Sequence, residues 1–426
     1  MPPKRNTKSS SKPIEDESIE IVNWIDKLNK AIDDLSESRT STREESLEII
    51  VSTFACHRVF SHIENRLEEI LTLLKKSLVK NNSVKEACLA AKAIALTFIN
   101  LDHLSESEGD DLYRKMLNSL RNKIKDCEDI DIKISSLQTL ALITYIAASD
   151  IDKQLVRNYI FDLIETDGAE FNVEELSSQD MDRLLCEAAR AYGLLYAASF
   201  TSGFVNFDVL WEEFEKVMPV HEIMLESSDK DNRIASGENI ALMFETVNIF
   251  LTSNEDEEED DDDYNTVKPE YDNMDGLIYT LRELSVDSNR HRAKSDRAEQ
   301  KSVFRDIIKS VEENIKPVEE LKINGRILTF RGWAKIIPLN AFRRCLGQGF
   351  QYHVKVNPMM KEIFRYSTGF SSRHQQFDSD DSDDEIGFNK SSLSNVDRKF
   401  LYDENKKART KQIRNARLGK ENPPVY

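Results

Sequence analysis

Ten basic side chains crowd into one stretch of this chain and could meet a row of phosphates: Lys390, Arg398, Lys399, Lys406, Lys407, Arg409, Lys411, Arg414, Arg417 and Lys420. Three acids (Asp397, Asp403, Glu404) lie among them, so residues 387–420 carry +7. The whole chain of 426 residues carries −19, which leaves −26 on the remainder. A basic segment on an acidic body meets a polyanion at one defined place while the body is held off it. Nucleic acid, gripped through its phosphates, is the expected polyanion. The constellations that would carry catalysis are missing. No GxxxxGK[ST] run occurs, and Gly347-Gln348-Gly349 follows a helical pattern, where it reads as a helix stop. Cys56-His57 has no evident third group, and no His/Cys spacing suits zinc. The expectation is a binding protein with no catalytic residues, no metal and no cofactor.

The element that must carry the basic residues is readable. Ser394-Asn395 offers an N-cap, and the 23 residues Val396–Leu418 hold neither Pro nor Gly. As a helix they would span about 35 Å. Their apolar residues (Val396, Phe400, Leu401, Ile413, Leu418) are too few for a buried face, so the segment should order on a partner. Arg398, Lys399, Lys406, Lys407, Arg409, Lys411, Arg414, Arg417 and Lys420 are the expected RNA contacts. Two other readings of such a cluster stand beside RNA insertion: a nuclear localisation signal, and a contact with the chain's own acidic segments. One of these is Asp378–Glu385, where Ser379 and Ser382 suit an acidophilic kinase.

The body reads as helix after helix. Residues 1–18 are polar and Pro-bearing and are expected to be disordered. From 19 to 316, stretches of small and apolar residues recur at helical spacing: Val84–Phe98, Ile132–Ile146, Leu184–Ala198 and Arg233–Val247, with an earlier one from Arg43. A basic residue opens each (Arg43, Lys85, Lys133, Arg183, Arg233), at spacings of 42, 48, 50 and 50. That is near the period of armadillo and HEAT repeats, in which each helix pair needs its neighbours to complete a core. An ordinary helical bundle is the alternative. An amphipathic helix precedes each stretch: Ile63–Leu78, Leu112–Ile124, Leu155–Ile164 and Phe207–Val217. Helices resume at 275–286 and 298–315. Residues 252–268 contain nine consecutive acids, Glu255–Asp263, and are expected to be a disordered acidic loop. The five cysteines are odd in number and scattered, as in a reduced intracellular protein. No apolar run suggests a membrane span. The cytoplasm, with the nucleus as a second compartment, is the expected location, and the protein is expected to be a monomer.

Past Pro317 the texture changes. Val318–Ile323 and Arg326–Phe330 flank Asn324-Gly325 and predict a β-hairpin. Trp333, a helix at 339–346 and a short helix from Pro358 follow, making a compact unit over 317–370 whose core would be Trp333, Phe342, Phe350 and Phe364. Residues 371–393 are an acidic linker, 394–420 the basic helix and 421–426 a tail. The fold class is all-α: an armadillo/HEAT-like superhelix, a small hairpin-plus-helices unit and a basic C-terminal helix.

One segment carries a resemblance. Trp333, the helix holding Phe342, Leu346-Gly347-Gln348-Gly349, Gln351-Tyr352-His353, and Asn357 followed by Met360, Ile363 and Phe364 resemble the C-terminal conserved domain of the interferon-related developmental regulator family. Lys407-Ala408-Arg409-Thr410-Lys411 is similar to that family's basic C-terminal stretch. The resemblance implies a non-enzymatic regulator that associates with translationally inactive ribosomes, contacts rRNA and ribosomal proteins, and places its basic helix in the mRNA and tRNA path. It also implies a second role as a transcriptional co-regulator with nuclear protein partners. Arg343, Arg344, Gln351, Tyr352, His353 and Lys355 are then further candidates for RNA or ribosome contact. His353 has an alternative as a hydrogen-bonded structural histidine.

Overall fold

The computed structural model of the protein describes residues 15–364, except 81–82, 103–105, 172–175, 201–205, 256–270, 287–293 and 324–325. The acidic linker and the basic segment fall outside the described residues. Thirteen α-helices come first: α1 (Glu15–Asp34), α2 (Thr40–Cys56), α3 (Phe60–Ile63), α4 (Leu67–Val79), α5 (Val84–Ile99), α6 (Glu106–Asp126), α7 (Ile130–Ala147), α8 (Asp150–Glu165), α9 (Ser178–Phe200), α10 (Phe207–Leu225), α11 (Lys230–Glu255), α12 (Met274–Val286) and α13 (Lys294–Glu313). A hairpin follows, β1 (Val318–Ile323) and β2 (Arg326–Arg331), then α14 (Trp333–Leu346), α15 (Phe350–Val356) and α16 (Pro358–Ile363).

The helices pack in pairs: α1 with α2, α4 with α5, α6 with α7, α8 with α9, α10 with α11 and α12 with α13. The second helix of each pair also packs on the second helix of the next, so α2, α5, α7, α9, α11 and α13 form one continuous layer. This is the one-dimensional stacking of a helical-repeat superhelix. The small residues expected at the close contacts are there: Ala87, Ala90, Ala91, Ser136, Ala188, Ala189, Ala235 and Ser236 are buried. Hydrogen bonds at the repeat spacing tie α7 to α5 and α11 to α9 within this layer. Thr139 Oγ1 donates to the Ala91 carbonyl (2.9 Å) and Asn239 Nδ2 to that of Ala189 (2.8 Å).

Three of the five basic anchors share one task. The Arg43 Nη1 group donates to the Glu37 and Ser38 carbonyls, and its Nε–Nη2 fork grips both oxygens of Glu86 on α5 at 2.7 and 2.8 Å. Arg233 repeats this on the Ser227 and Ser228 carbonyls and reaches Gln300 on α13. Lys133 donates to the carbonyls of Ile124, Lys125 and Phe171, and burial pulls its ammonium down to about 8. Arg43 and Arg233 satisfy carbonyls of the turn before their own helix, and Lys133 those of the last turn of α6, where a cation is also favoured by the helix dipole. Lys85 and Arg183 instead make exposed pairs with Glu48 and Asp131.

Several expectations shift. The helix α1 begins at Glu15, inside the stretch expected to be disordered. The helix α11 runs to Glu255, into the expected acidic loop; just before that stretch Phe250 packs on Phe207, holding the end of the helix against α10. The helix expected over 63–78 is broken by a 3₁₀ turn at Glu64–Arg66, although its apolar face is buried as predicted. One helix, α7, is long and apolar enough by length and composition to cross a membrane, which the sequence reading did not register. It is packed between α5 and α9, and it carries Asp131 and the buried Lys133.

The largest departure is at residues 318–364. The hairpin pairs as expected, antiparallel, with Val318 opposite Arg331 and Ile323 opposite Arg326; its Asn324-Gly325 turn lies outside the described residues. The segment does not bury its aromatics in a core of its own. The helix α14 lies on α9 and α11 and reaches α5 and α2, and α15 packs on α2. Phe342 meets Tyr145 of α7 edge to face at 5.9 Å, and Phe364 packs on Phe330 and Phe342. So short a segment cannot complete a core alone. It uses the second-helix layer as its missing half.

Candidate functional site

The segment is held on that layer at both ends. At its start, Glu245 of α11 is buried, and its carboxylate accepts the backbone N–H of Trp333 at 2.6 Å and of Ala334 at 3.5 Å. These are orphan donors at the N-terminus of α14, a place that favours a carboxylate. Burial still pushes the Glu245 acid up, against the pull of those N–H groups. Gly332, at φ 86°, makes this approach feasible, since a Cβ there would run into the Glu245 carboxylate. The Trp333 indole N–H donates to Ser310 on α13 at 2.9 Å.

At the far end the motif residues form a clasp on α2 and α5. Gly349 lies so close to the Ala55 carbonyl that a Cβ would overlap it. His353 is fully buried. Its Nε2–H donates to the Phe54 carbonyl (3.1 Å), and its Nδ1 accepts from Asn357 Nδ2 (3.3 Å). Asn357 also donates to the Ile99 carbonyl (2.6 Å) and caps α16 at the Met360 N–H. The other lone pair of Phe54 O takes Asn100 Nδ2 (3.0 Å). A second proton on His353 would face the Asn357 donor, and burial holds the imidazole down at about 4. Six large apolar side chains (Trp333, Leu339, Phe342, Phe350, Val354, Met360) are buried along the way. Their transfer from water contributes on the order of 10 kcal/mol before ordering entropy is subtracted.

The residues singled out from the sequence separate into groups. Arg398, Lys399, Lys406, Lys407, Arg409, Lys411, Arg414, Arg417 and Lys420 lie outside the described residues. His353 is the structural histidine of the clasp and offers no surface to RNA. Arg343 pairs with Glu319 (2.6 Å) and lies over the Phe350 ring. Gln351 and Tyr352 are exposed on α15 and Lys355 is half-buried, so these three present a polar face. Tyr352 touches the edge of His57, which stacks on Trp24 at 4.6 Å. Arg344 does not join them: it is exposed into a cavity between α14 and the repeats, together with Lys92 and Arg190. Sequence reasoning missed Glu245, Lys92 and Arg190, which look like ordinary charged helix positions. Among the described residues no group of three His, Cys, Asp or Glu side chains could hold a metal.

A helical-repeat scaffold whose second-helix layer is covered by its own C-terminal segment defines the class. The sequence profile described as interferon-related developmental regulator (IFRD) matches residues 4–312, and the chain belongs to that family. The match covers the repeats, whereas the residues that suggested the family lie in the covering segment and, for Lys407–Lys411, outside the described residues. The chain is 27% identical over 352 residues to interferon-related developmental regulator 2 of Mus musculus, spanning 82% of this chain and 74% of that one. It is 29% identical over 347 residues to interferon-related developmental regulator 1 of Sus scrofa, spanning 79% and 70%. An uncharacterized protein of Schizosaccharomyces pombe is 27% identical over 397 residues, spanning 89% and 84%.

Proposed function

We propose that this protein is a non-enzymatic translational regulator that binds idle ribosomes, its basic C-terminal segment occupying the path of mRNA and tRNA. The observation that carries the reading is the segregation of charge: +7 over residues 387–420 against −26 elsewhere. An acidic body is repelled by rRNA, so contact is confined to the segment that can thread into it. Lys406, Lys407, Arg409, Lys411, Arg414 and Arg417 contact phosphates, flanked by Arg398, Lys399 and Lys420. The repeats act as a stiff platform, pinned by Glu245 at one end and the His353–Asn357 clasp at the other. Gln351, Tyr352 and Lys355 are the body's surface for a ribosomal neighbour. On this reading the protein acts as a monomer in the cytoplasm and needs no cofactor.

The competing role, a nuclear co-regulator that gathers protein partners on the repeats, needs the second-helix layer. Residues 318–364 cover that layer from α13 to α2, which favours the ribosomal reading. Binding of purified rRNA measured across salt tests it. Affinity should fall linearly on a log–log plot, and charge reversal at any one of the six central basic residues should shallow the slope by roughly one unit. A salt-insensitive complex, or one residue dominating the others, would contradict phosphate contacts along the segment.

A further inference from the structure

A cavity of about 280 Å³ lies where α5, α7 and α9 meet α14. Its floor is apolar, with Leu89, Leu142 and Leu194. Three cations reach it, Lys92, Arg190 and Arg344, against a single lining carboxylate, Glu187. Glu187 is already engaged on both oxygens, by Arg190 Nη1 at 2.6 Å and Gln138 Nε2 at 2.9 Å. Among the described residues neither Arg344 nor Lys92 has a hydrogen bond or ion pair. Burial, and then the like charge of Arg190, hold the Arg344 guanidinium below its ordinary range. Glu187 and Glu238 act on Arg344 through space without a direct bond, and burial pushes the Glu238 acid up to about 7. Lys92 and Arg344 keep their donors open to the cavity, where an anion can reach them.

We propose that this cavity binds a small organic phosphate, its phosphate held between Arg190, Arg344 and Lys92 and its organic part on the leucine floor. Two guanidinium groups and an ammonium lining one cavity suit a dianion with several acceptor oxygens better than a single carboxylate. The volume, at the small end of ligand sites, limits the ligand to about the size of a mononucleotide. Because Arg344 and Ala341 come from α14, the site is complete when the C-terminal segment is docked on the repeats. A ligand there favours the docked state by mass action. The site is independent of the ribosomal reading and stands or falls separately.

The test is calorimetric titration of the full chain with phenyl phosphate, inorganic phosphate and a phosphoserine peptide, with Arg344→Met and Lys92→Met in parallel. Neither substituted side chain holds a partner among the described residues, and melting curves check that both variants fold. Phenyl phosphate should bind more tightly than inorganic phosphate, and each variant should bind it at least about 10-fold more weakly. Binding unchanged in both variants would assign the phosphate to the basic segment and overturn the proposal. A peptide that binds while phenyl phosphate does not would replace the small molecule with a protein partner. No heat from any probe up to about 1 mM would also overturn it.

Discussion

Acid should open the clasp before it unfolds the repeats. In the folded chain His353 is neutral, its Nε2–H on the Phe54 carbonyl and its Nδ1 facing the Asn357 donor. Burial holds its value at about 4, against 6.5 for a free histidine. The released segment therefore takes up a proton that the docked one refuses. The stability this supplies is complete above about pH 6.5 and is lost as pH falls toward 4. Between pH 7 and pH 4 the loss is about 3 kcal/mol, or about a hundredfold in the opening equilibrium. Hydrogen exchange of the α15 and α16 amides, corrected for the chemical exchange rate at each pH, reads that opening directly. The informative comparison is His353→Gln, whose amide can still donate to Phe54 and accept from Asn357 but cannot titrate. His221, buried and held down at about 3, contributes equally to both proteins and cancels. Wild type should lose about a hundredfold more protection than the variant over this range. Parallel curves for the two would refute the assignment of His353 as the buried neutral clasp.

Other consequences follow from the same contacts. Gly349→Ala puts a methyl group into the Ala55 carbonyl, so α15 must lift from α2; a loss of about 2–4 kcal/mol and new protease cuts near 347–349 are expected, and an unchanged melting curve would show that the approach is looser. Ala189→Glu buries an unpaired charge in the contact between α9 and α11, next to the carbonyl that Asn239 caps; several kcal/mol of destabilisation spreading to neighbouring repeats is expected, and a melting temperature equal to wild type would place Ala189 at the surface. Circular dichroism of the isolated segment 394–426 should show helix gained on adding rRNA, and a segment already helical alone would contradict ordering on a partner.

The repeats were legible because their signal is local. Apolar stripes at helical period and runs of small residues mark each helix, and Arg43, Lys133 and Arg233 mark the register because each reaches back to carbonyls five to nine residues earlier, where the preceding helix gives way to its own. The course of residues 318–364 was not legible, although their elements were. Their acceptors are the backbone carbonyls of Phe54 and Ile99, and any residue type supplies a carbonyl. Glu245 reads as one acid among many until α14 arrives on it. The Gly349, His353 and Asn357 pattern stood out in the sequence, but its meaning, a close approach and one bond to α2, 299 residues earlier, and one bond to α5, 258 residues earlier, exists only in the fold. The cavity cations were hidden for the same reason: Lys92, Arg190 and Arg344 sit on three helices far apart along the chain.

Co-sedimentation with purified idle ribosomes, comparing the full chain with one lacking residues 394–426, tests the central claim most directly. The deletion removes no residue of the described core, so the truncated protein should keep its helical content and melting temperature. The account predicts that it stays in the supernatant while the full chain pellets at low salt and is released as salt rises. A folded truncation that pellets as well as the full chain would contradict it.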